Sequence, residues 1–125
     1  MSKLLLIGIG GFAGSILRHL VSGLFARMFE NPWFPHGTLA VNAIGCFLIG
    51  LLGGLFETGR FLTPEARLVL LVGFLGGFTT FSAFGYELFA AGRDGRIMGA
   101  FMNFALHMTL GFSGVALGFK LSRAL

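Results

Sequence analysis

Four long apolar stretches occupy nearly the whole chain and restrict its fold more than any other feature. They cover residues 4–25, 38–56, 68–91 and 97–121, and each has about the ~20 residues that an α-helix needs to cross ~30 Å of hydrocarbon. The connections between them are short and rich in turn-forming residues. With a mean hydropathy of +0.87, the sequence predicts an all-α integral membrane protein, a single domain over residues 1–125 with four transmembrane helices.

The basic residues predict little preference for one orientation in the membrane. The nine Lys and Arg are scattered over loops and helix ends, which favours contact with the lipid bilayer and argues against nucleic acid as a partner. With four spans, five basic residues fall on one side and four on the other, and such a small bias predicts insertion both ways and pairing as an antiparallel dimer. The alternative is one orientation set by a dominant end residue. The first side holds Lys3, Arg60, Arg67, Lys120 and Arg123, and the second holds Arg18, Arg27, Arg93 and Arg96.

Glycines spaced four apart predict close helix packing. This small-xxx-small spacing lets the backbones of two membrane helices approach each other. Four helices hardly enclose an aqueous path alone, so a transport role would require a partner as well. The pairs are Gly10 and Gly14, Gly50 and Gly54, Gly73 and Gly77, and Gly114 and Gly118.

Polar residues within the spans are neutral hydrogen-bonding groups. No Asp or Glu lies in the middle of a span, which disfavours a small proton-coupled exporter of cationic drugs because such a carrier needs an embedded carboxylate. Hydroxyls and amides can donate to an anion without adding a fixed charge. Each could equally bond between helices or back to its own helix. The candidates are Thr38, Asn42, Thr79, Thr80, Ser82, Asn103, His107, Thr109 and Ser113.

The third span contains GGFTTFSAFGYE, residues 76–87, which predicts a break in the helix. Two glycines cost about 1 kcal/mol each relative to alanine in a helix, and the threonines that follow are β-branched. Unwound backbone at membrane depth is tolerated where it is buried in protein or lines a cavity, and its carbonyls can bind cations. Phe81 and Phe84 are three apart, so their rings share a face of the resumed helix. Ring edges are the positive part of the aromatic quadrupole and can stabilise an anion, although packing is the default role of a Phe pair.

Three motifs resemble one known family. GGFAGSILR (residues 10–18), GTLAVNAIGCFLIG (37–50) and GFLGGFTTFSAFGYE (73–87) are similar, in order and spacing, to those of the CrcB/Fluc fluoride channels. The resemblance extends over essentially the whole chain. It implies a passive, fluoride-selective channel in the bacterial inner membrane that lowers cytoplasmic fluoride, and not an enzyme. It also implies an antiparallel, dual-topology homodimer with two fluoride paths.

The resemblance also implies roles for individual residues. Phe81 and Phe84 match the family's pore phenylalanines, and Asn42 matches its pore asparagine. The carbonyls of Gly76 and Thr79 would hold a structural Na⁺ at the dimer centre. Supporting polar groups would be Thr38, Thr80 and Ser82, and residues at an aqueous vestibule or pore mouth would be Arg18 and Glu87.

The fourth span departs from the family pattern. Many members have Tyr and Ser four apart there, and this chain has Asn103 and His107. Both are expected to donate hydrogen bonds along the ion path. A protonated His107 would add charge and pH dependence, whereas a neutral His107 would bond across helices.

Two other functions remain open from the residues alone. One is the proton-coupled multidrug-type exporter, which would require a proton gradient for uphill transport. The other is a non-transporting membrane assembly protein, which would fit the glycine-rich packing equally well.

Overall fold

The computed structural model describes residues 2–29, 31, 33–59 and 63–125, and helix is the only regular secondary structure in these ranges. Arg60, one of the basic residues counted above, lies outside them. The third span, Pro64–Arg93, consists of two parts, which we call α3 and α4. The helices are α1 (Ser2–Met28), α2 (His36–Thr58), α3 (64–78), α4 (Phe81–Arg93) and α5 (Ile97–Ala124).

The described chain contains four helical spans that are long and apolar enough to cross a membrane. They have 27, 23, 30 and 28 residues, and each predicted apolar stretch lies within one of them. Large apolar side chains are exposed along their outer faces, for example Phe12 at 71% and Phe112 at 74% of full exposure. Such faces suit hydrocarbon rather than water. The chain is therefore a multi-pass membrane protein.

Glycines allow α1 and α3 to meet backbone to backbone. Gly10 and Gly14 on α1 face Gly73 and Gly77 on α3, and a Cβ added at Gly73 would lie only 2.6 Å from the carbonyl oxygen of Ile7. Any residue larger than glycine at these positions would therefore push the two helices apart. The prediction that these glycines mark a close helix contact is confirmed.

A second glycine contact joins α2 and α5. Gly50 and Gly54 on α2 face α5, and Gly118 on α5 faces α2, where an added Cβ would lie 2.7 Å from the amide nitrogen of Leu51. Gly114 lies at the same contact, with 3.3 Å from its ideal Cβ to the amide nitrogen of Phe47. All four predicted glycine pairs thus lie where two helices touch.

The small core lies between α2 and α3. Val41, Leu75 and Phe78 are almost fully buried, and the Phe74 and Phe78 rings stack with centroids 5.9 Å apart. Within α3, residues Leu68–Leu75 form a π-helix, whose wider turn is uncommon and changes which side chains face the core.

Charged residues fasten the loops at one end of the bundle. Arg96 donates from Nη1 to the Trp33 carbonyl over 3.1 Å, and its guanidinium lies 5.3 Å from the centre of the Trp33 ring. Asp94 accepts from Arg93 and Arg96, and the hydrogen bond from Arg93 is the main reason that its pKa lies below the usual value. These contacts tie the loop before α2 to the turn between α4 and α5.

Candidate functional site

Two extended threonines separate α3 from α4. Thr79 has φ −85° and ψ 160°, and Thr80 has φ −151° and ψ 112°. The Thr79 hydroxyl donates to the Leu75 carbonyl over 2.9 Å, and the Thr80 hydroxyl accepts from the Ala83 amide over 3.2 Å as the N-cap of α4. The threonine side chains thus close one helix and open the next.

The glycines before this link remain helical, although they were part of the residue pattern on which the prediction of a break was based. Gly76 has φ −62° and ψ −37°, and the short segment Gly76–Phe78 is α-helical. Gly77 lies directly against the Gly11 backbone of α1. Gly77 therefore has a packing role, whereas a Cβ added at Gly76 would meet nothing within 4 Å. The β-branched threonines that follow leave the helix.

Asn42 on α2 bonds to the backbone of the link. Its Nδ2 donates to the Thr80 carbonyl over 3.0 Å, and its Oδ1 accepts from the Thr80 amide over 2.9 Å. This pair imitates the bonds between two strands and satisfies backbone groups that would otherwise be costly at membrane depth. One Nδ2–H remains for another acceptor, because the side-chain amide has two donors.

The same bonds release two backbone carbonyls. In a continuous helix the amides of Thr80 and Ala83 would donate to the carbonyls four residues earlier, those of Gly76 and Thr79. Here those amides donate to Asn42 and to the Thr80 hydroxyl instead. The two carbonyls proposed as cation ligands are therefore among those that lose their helical donors at the link. No cluster of three His, Cys, Asp or Glu side chains that could hold a metal occurs among the described residues.

Three polar side chains meet near the start of α2, and we call them the outer level: Thr38, Glu87 and Asn103. The Thr38 hydroxyl donates to Oε1 of Glu87, while Glu87 Oε2 is buried without a partner. Asn103 is 2% exposed, and its Oδ1 also has no partner. Glu87 and Asn103 line a common cavity. The outer level thus brings together residues from α2, α4 and α5, which are far apart in the sequence.

One helical turn deeper lies a second group, the inner level: Asn42, Phe84 and His107. The His107 and Phe84 ring centroids are 4.2 Å apart, and His107 Nδ1 lies 3.0 Å from the Asn103 carbonyl oxygen. All three residues line a cavity of about 360 Å³, the inner cavity, which Thr80 and Phe81 also line. None of its described lining residues is Lys, Arg, Asp or Glu. Its polar groups are therefore neutral donors and acceptors, with His107 as the one side chain whose charge can change near neutral pH.

The two candidate phenylalanines differ sharply in their surroundings. Their ring centroids are 5.9 Å apart with the planes inclined by 60°, so the rings do lie close together. Phe84 is 4% exposed, whereas Phe81 is 82% exposed on the outside of the single chain. One ring is therefore held by the fold of this chain, and the other projects beyond it.

A mouth cavity of about 420 Å³ lies above the outer level. Thr38 and Glu87 line it together with Ser22, Asn31 and His36, three residues that the sequence did not indicate as site residues. The His36 ring stacks on Phe29 with centroids 4.7 Å apart. The sequence could have indicated His36 as a site residue, because it lies two residues before Thr38 in the first turn of the same helix.

The remaining predicted residues lie away from these two levels. The Ser82 hydroxyl is exposed and lies 3.3 Å from the Thr80 hydroxyl, so it adjoins the link from the outside. Arg18 is half-buried on α1, and the described linings of the inner and mouth cavities do not include it. The structure thus groups Thr38, Glu87 and Asn103, groups Asn42, Phe84 and His107, and leaves Arg18 apart.

Comparison with known proteins gives a consistent family signal. Residues 5–119 match the family described as "CrcB-like protein, Camphor Resistance (CrcB)". A protein of Maridesulfovibrio salexigens named "Fluoride-specific ion channel FluC" is 45% identical over 98% of this chain and 97% of its own length. Proteins of the same name are 41% identical in Rhizobium etli, over 100% of this chain and 99% of theirs, and 39% identical in a Sulfurihydrogenibium species, over the full length of both.

Proposed function

This chain belongs to the CrcB family, and we propose from that membership that it is a channel that conducts fluoride passively across the bacterial inner membrane. Relatives named as fluoride-specific channels match it from end to end, and this observation carries the proposal. Conduction down the gradient would lower cytoplasmic fluoride. The chain is not an enzyme in this proposal, and its partners are the ion, the bilayer and a second copy of itself, with no role for nucleic acid.

The geometry of the two levels supports an anion path. An anion that loses its water needs donors in exchange, but a fixed positive charge would hold it too tightly for conduction. The spare Nδ2–H of Asn42 and the edges of Phe84 and Phe81 meet that requirement around the inner cavity. Thr80 lines this cavity, and the exposed Ser82 hydroxyl lies 3.3 Å from the Thr80 hydroxyl. At the outer level, Thr38, Glu87 and Asn103 form the approach from the mouth cavity, and Arg18 would act from a vestibule outside it.

The exposed Phe81 supports a dimer. A ring that is 82% exposed cannot form the wall of a path without something packed against it. Gly76 and Leu71 also line the inner cavity near the same surface, so a second copy would close it. The near balance of basic residues supports opposite orientations for the two copies, that is, an antiparallel dual-topology homodimer.

The released carbonyls support a structural Na⁺ at the dimer centre. The Gly76 and Thr79 carbonyls are hard oxygen ligands without helical donors, and Na⁺ takes such ligands at broken membrane helices. One chain supplies only two of them. Two further carbonyls from the partner would complete a small cage, and the ion would neutralise four carbonyl dipoles facing one another.

The decisive test is flux from proteoliposomes loaded with fluoride or chloride, followed with ion-selective electrodes. We expect fluoride to leave much faster than chloride without a proton gradient. Phe84→Ile and Phe81→Ile should each slow fluoride by at least roughly tenfold, which corresponds to about 1.4 kcal/mol of lost anion stabilisation. Phe12→Ile, at an outward-facing ring of similar exposure on α1, is the matched control and should leave flux unchanged.

Other outcomes would identify the alternatives. Uphill transport that requires a proton gradient would indicate an exporter. Absence of any flux, together with unchanged fluoride sensitivity in cells that lack the protein, would indicate an assembly protein. Equal fluoride and chloride rates would contradict the proposed selectivity.

A further inference from the structure

The hydrogen bonding of His107 determines which of its ring nitrogens carries the proton. Nδ1 lies 3.0 Å from the Asn103 carbonyl oxygen. A carbonyl oxygen only accepts hydrogen bonds, so Nδ1 must be the donor. In the neutral ring, Nε2 is then left with a lone pair and no proton.

The ring that carries this bare nitrogen lines the inner cavity. His107 is 7% exposed, and its Nε2 is buried without a partner. The ring adjoins Phe84 and lines the same cavity as Asn42. A fluoride ion has only lone pairs to offer, so a neutral His107 would repel it at Nε2. With this bonding pattern, donation from His107 to the ion would require the protonated ring.

Protonation reverses this relation. The imidazolium ring has a proton on each nitrogen, so Nε2–H then becomes a donor without a partner in the protein, while Nδ1–H stays bonded to the Asn103 carbonyl oxygen. The positive charge attracts an anion as well. Two other titratable groups lie nearby. Cys46 on α2 lines the inner cavity, and Glu87 on α4 lies one turn away at the outer level. The described α5 residues that line this cavity add no charged side chain.

We propose that His107 is a specificity-determining residue that binds the permeating anion through Nε2 only when the ring is protonated, so that its charge state sets how readily the path fills. This inference rests on the proposed fluoride conduction. It makes occupancy highest when the proton concentration is high, the condition under which fluoride enters cells as neutral HF.

The test is fluoride efflux from proteoliposomes with the same pH on both sides, measured at intervals from pH 5.5 to pH 8.5. We expect flux through the protein to fall as pH rises, by about tenfold per pH unit once the ring is mostly neutral, because the imidazolium fraction falls by that factor. Protein-free liposomes at each pH measure leakage of HF through the lipid, and that rate is subtracted.

Two variants assign the pH dependence to a residue. His107→Gln keeps a neutral polar side chain and should give a flat profile. Glu87→Gln should retain the slope, whatever its absolute rate, because the slope belongs to the histidine. Gel filtration verifies that each variant remains monodisperse.

The outcomes separate this inference from the proposed function. A flat wild-type profile with substantial fluoride flux, or a slope that survives in His107→Gln, would overturn the role of His107 and leave fluoride conduction intact. Absence of fluoride flux at every pH would overturn conduction itself. A slope that disappears only in Glu87→Gln would assign the titration to the carboxylate and contradict our proposal.

Discussion

At the scale of single residues, the Asn42 amide holds the backbone of the link and, in the proposed path, would also bind the ion. The amide completes the hydrogen bonds of the Thr80 backbone and has one N–H left for the cavity. A side chain that holds the backbone in this way is itself held still, so the remaining donor is positioned in advance. Preorganised donors of this kind bind an ion at little cost in reorganisation.

Replacing Asn42 should therefore affect folding and flux together. Asn42→Ala leaves the amide and the carbonyl of Thr80 unpaired, and each such buried group costs about 1–3 kcal/mol. We expect a clear loss of thermal stability in detergent and loss of fluoride flux in proteoliposomes.

The control for this variant is Ser82→Ala, which removes an exposed hydroxyl beside the same link. It should change stability by less than about 0.5 kcal/mol. Equal stability of Asn42→Ala and Ser82→Ala would show that the two hydrogen bonds to Thr80 do not hold the link.

At the scale of helices, glycine contacts determine how close the spans can lie. The α1–α3 and α2–α5 contacts each use glycines from both partners, so the backbones meet without intervening side chains. Dispersion between closely packed backbones then holds helices together in a solvent that is as apolar as their own side chains.

Two glycines on the same helix provide a matched comparison of this effect. A Cβ at Gly14 would lie 2.9 Å from the amide nitrogen of Phe78, whereas a Cβ at Gly23 meets nothing within 4 Å. We expect Gly14→Ala to lower the thermal stability and the yield of monodisperse protein, by an overpacking cost of about 1–3 kcal/mol. Gly23→Ala should be neutral or slightly stabilising, since alanine favours helix over glycine. If both variants behave alike in gel filtration and thermal melts, close α1–α3 packing is not a requirement of the fold.

Features of the fold that depend on residues close together in the sequence could be predicted, and those that depend on distant residues could not. The four spans and the glycine pairs follow from hydropathy and spacing along one helix. The consequences of residues 76–80 were harder to assign, because glycine and threonine both weaken a helix and only the contact of Gly77 with α1 separates packing from unwinding.

The site was less predictable for the same reason. Asn42 and Thr80 are 38 residues apart, and nothing local predicts that an amide would bond to the backbone of the link. The acceptor character of neutral His107 likewise depends on one backbone carbonyl, that of Asn103. Family resemblance supplied candidate residues, but the roles of their individual atoms depended on the three-dimensional structure.

At the scale of the whole molecule, the inner cavity is lined in part by a residue on the outer surface of the chain. It opens toward a surface where Phe81 stands exposed, and the basic residues give little guidance about orientation. A second copy in the opposite orientation would present the same surface to the first, as two-fold symmetry requires.

Charge engineering can test this arrangement. Extra Lys or Arg residues appended at the C-terminus should force one orientation, because positively charged ends are retained in the cytoplasm. We expect the biased chain to lose fluoride flux when expressed alone. Co-expression with a copy biased the other way, by basic residues added to the turn between α4 and α5, should restore the flux. Full activity of a singly biased chain would contradict the antiparallel dimer.

The bond pair between Asn42 and Thr80 also has a consequence for biogenesis. The extended threonines would enter the bilayer with an unpaired amide and carbonyl, which hydrocarbon tolerates poorly. Their complement is a side chain on α2, a helix that leaves the ribosome earlier. Synthesis in chain order thus delivers the acceptor and the donor before the backbone that needs them, so the third span can be accommodated next to a helix that is already in place.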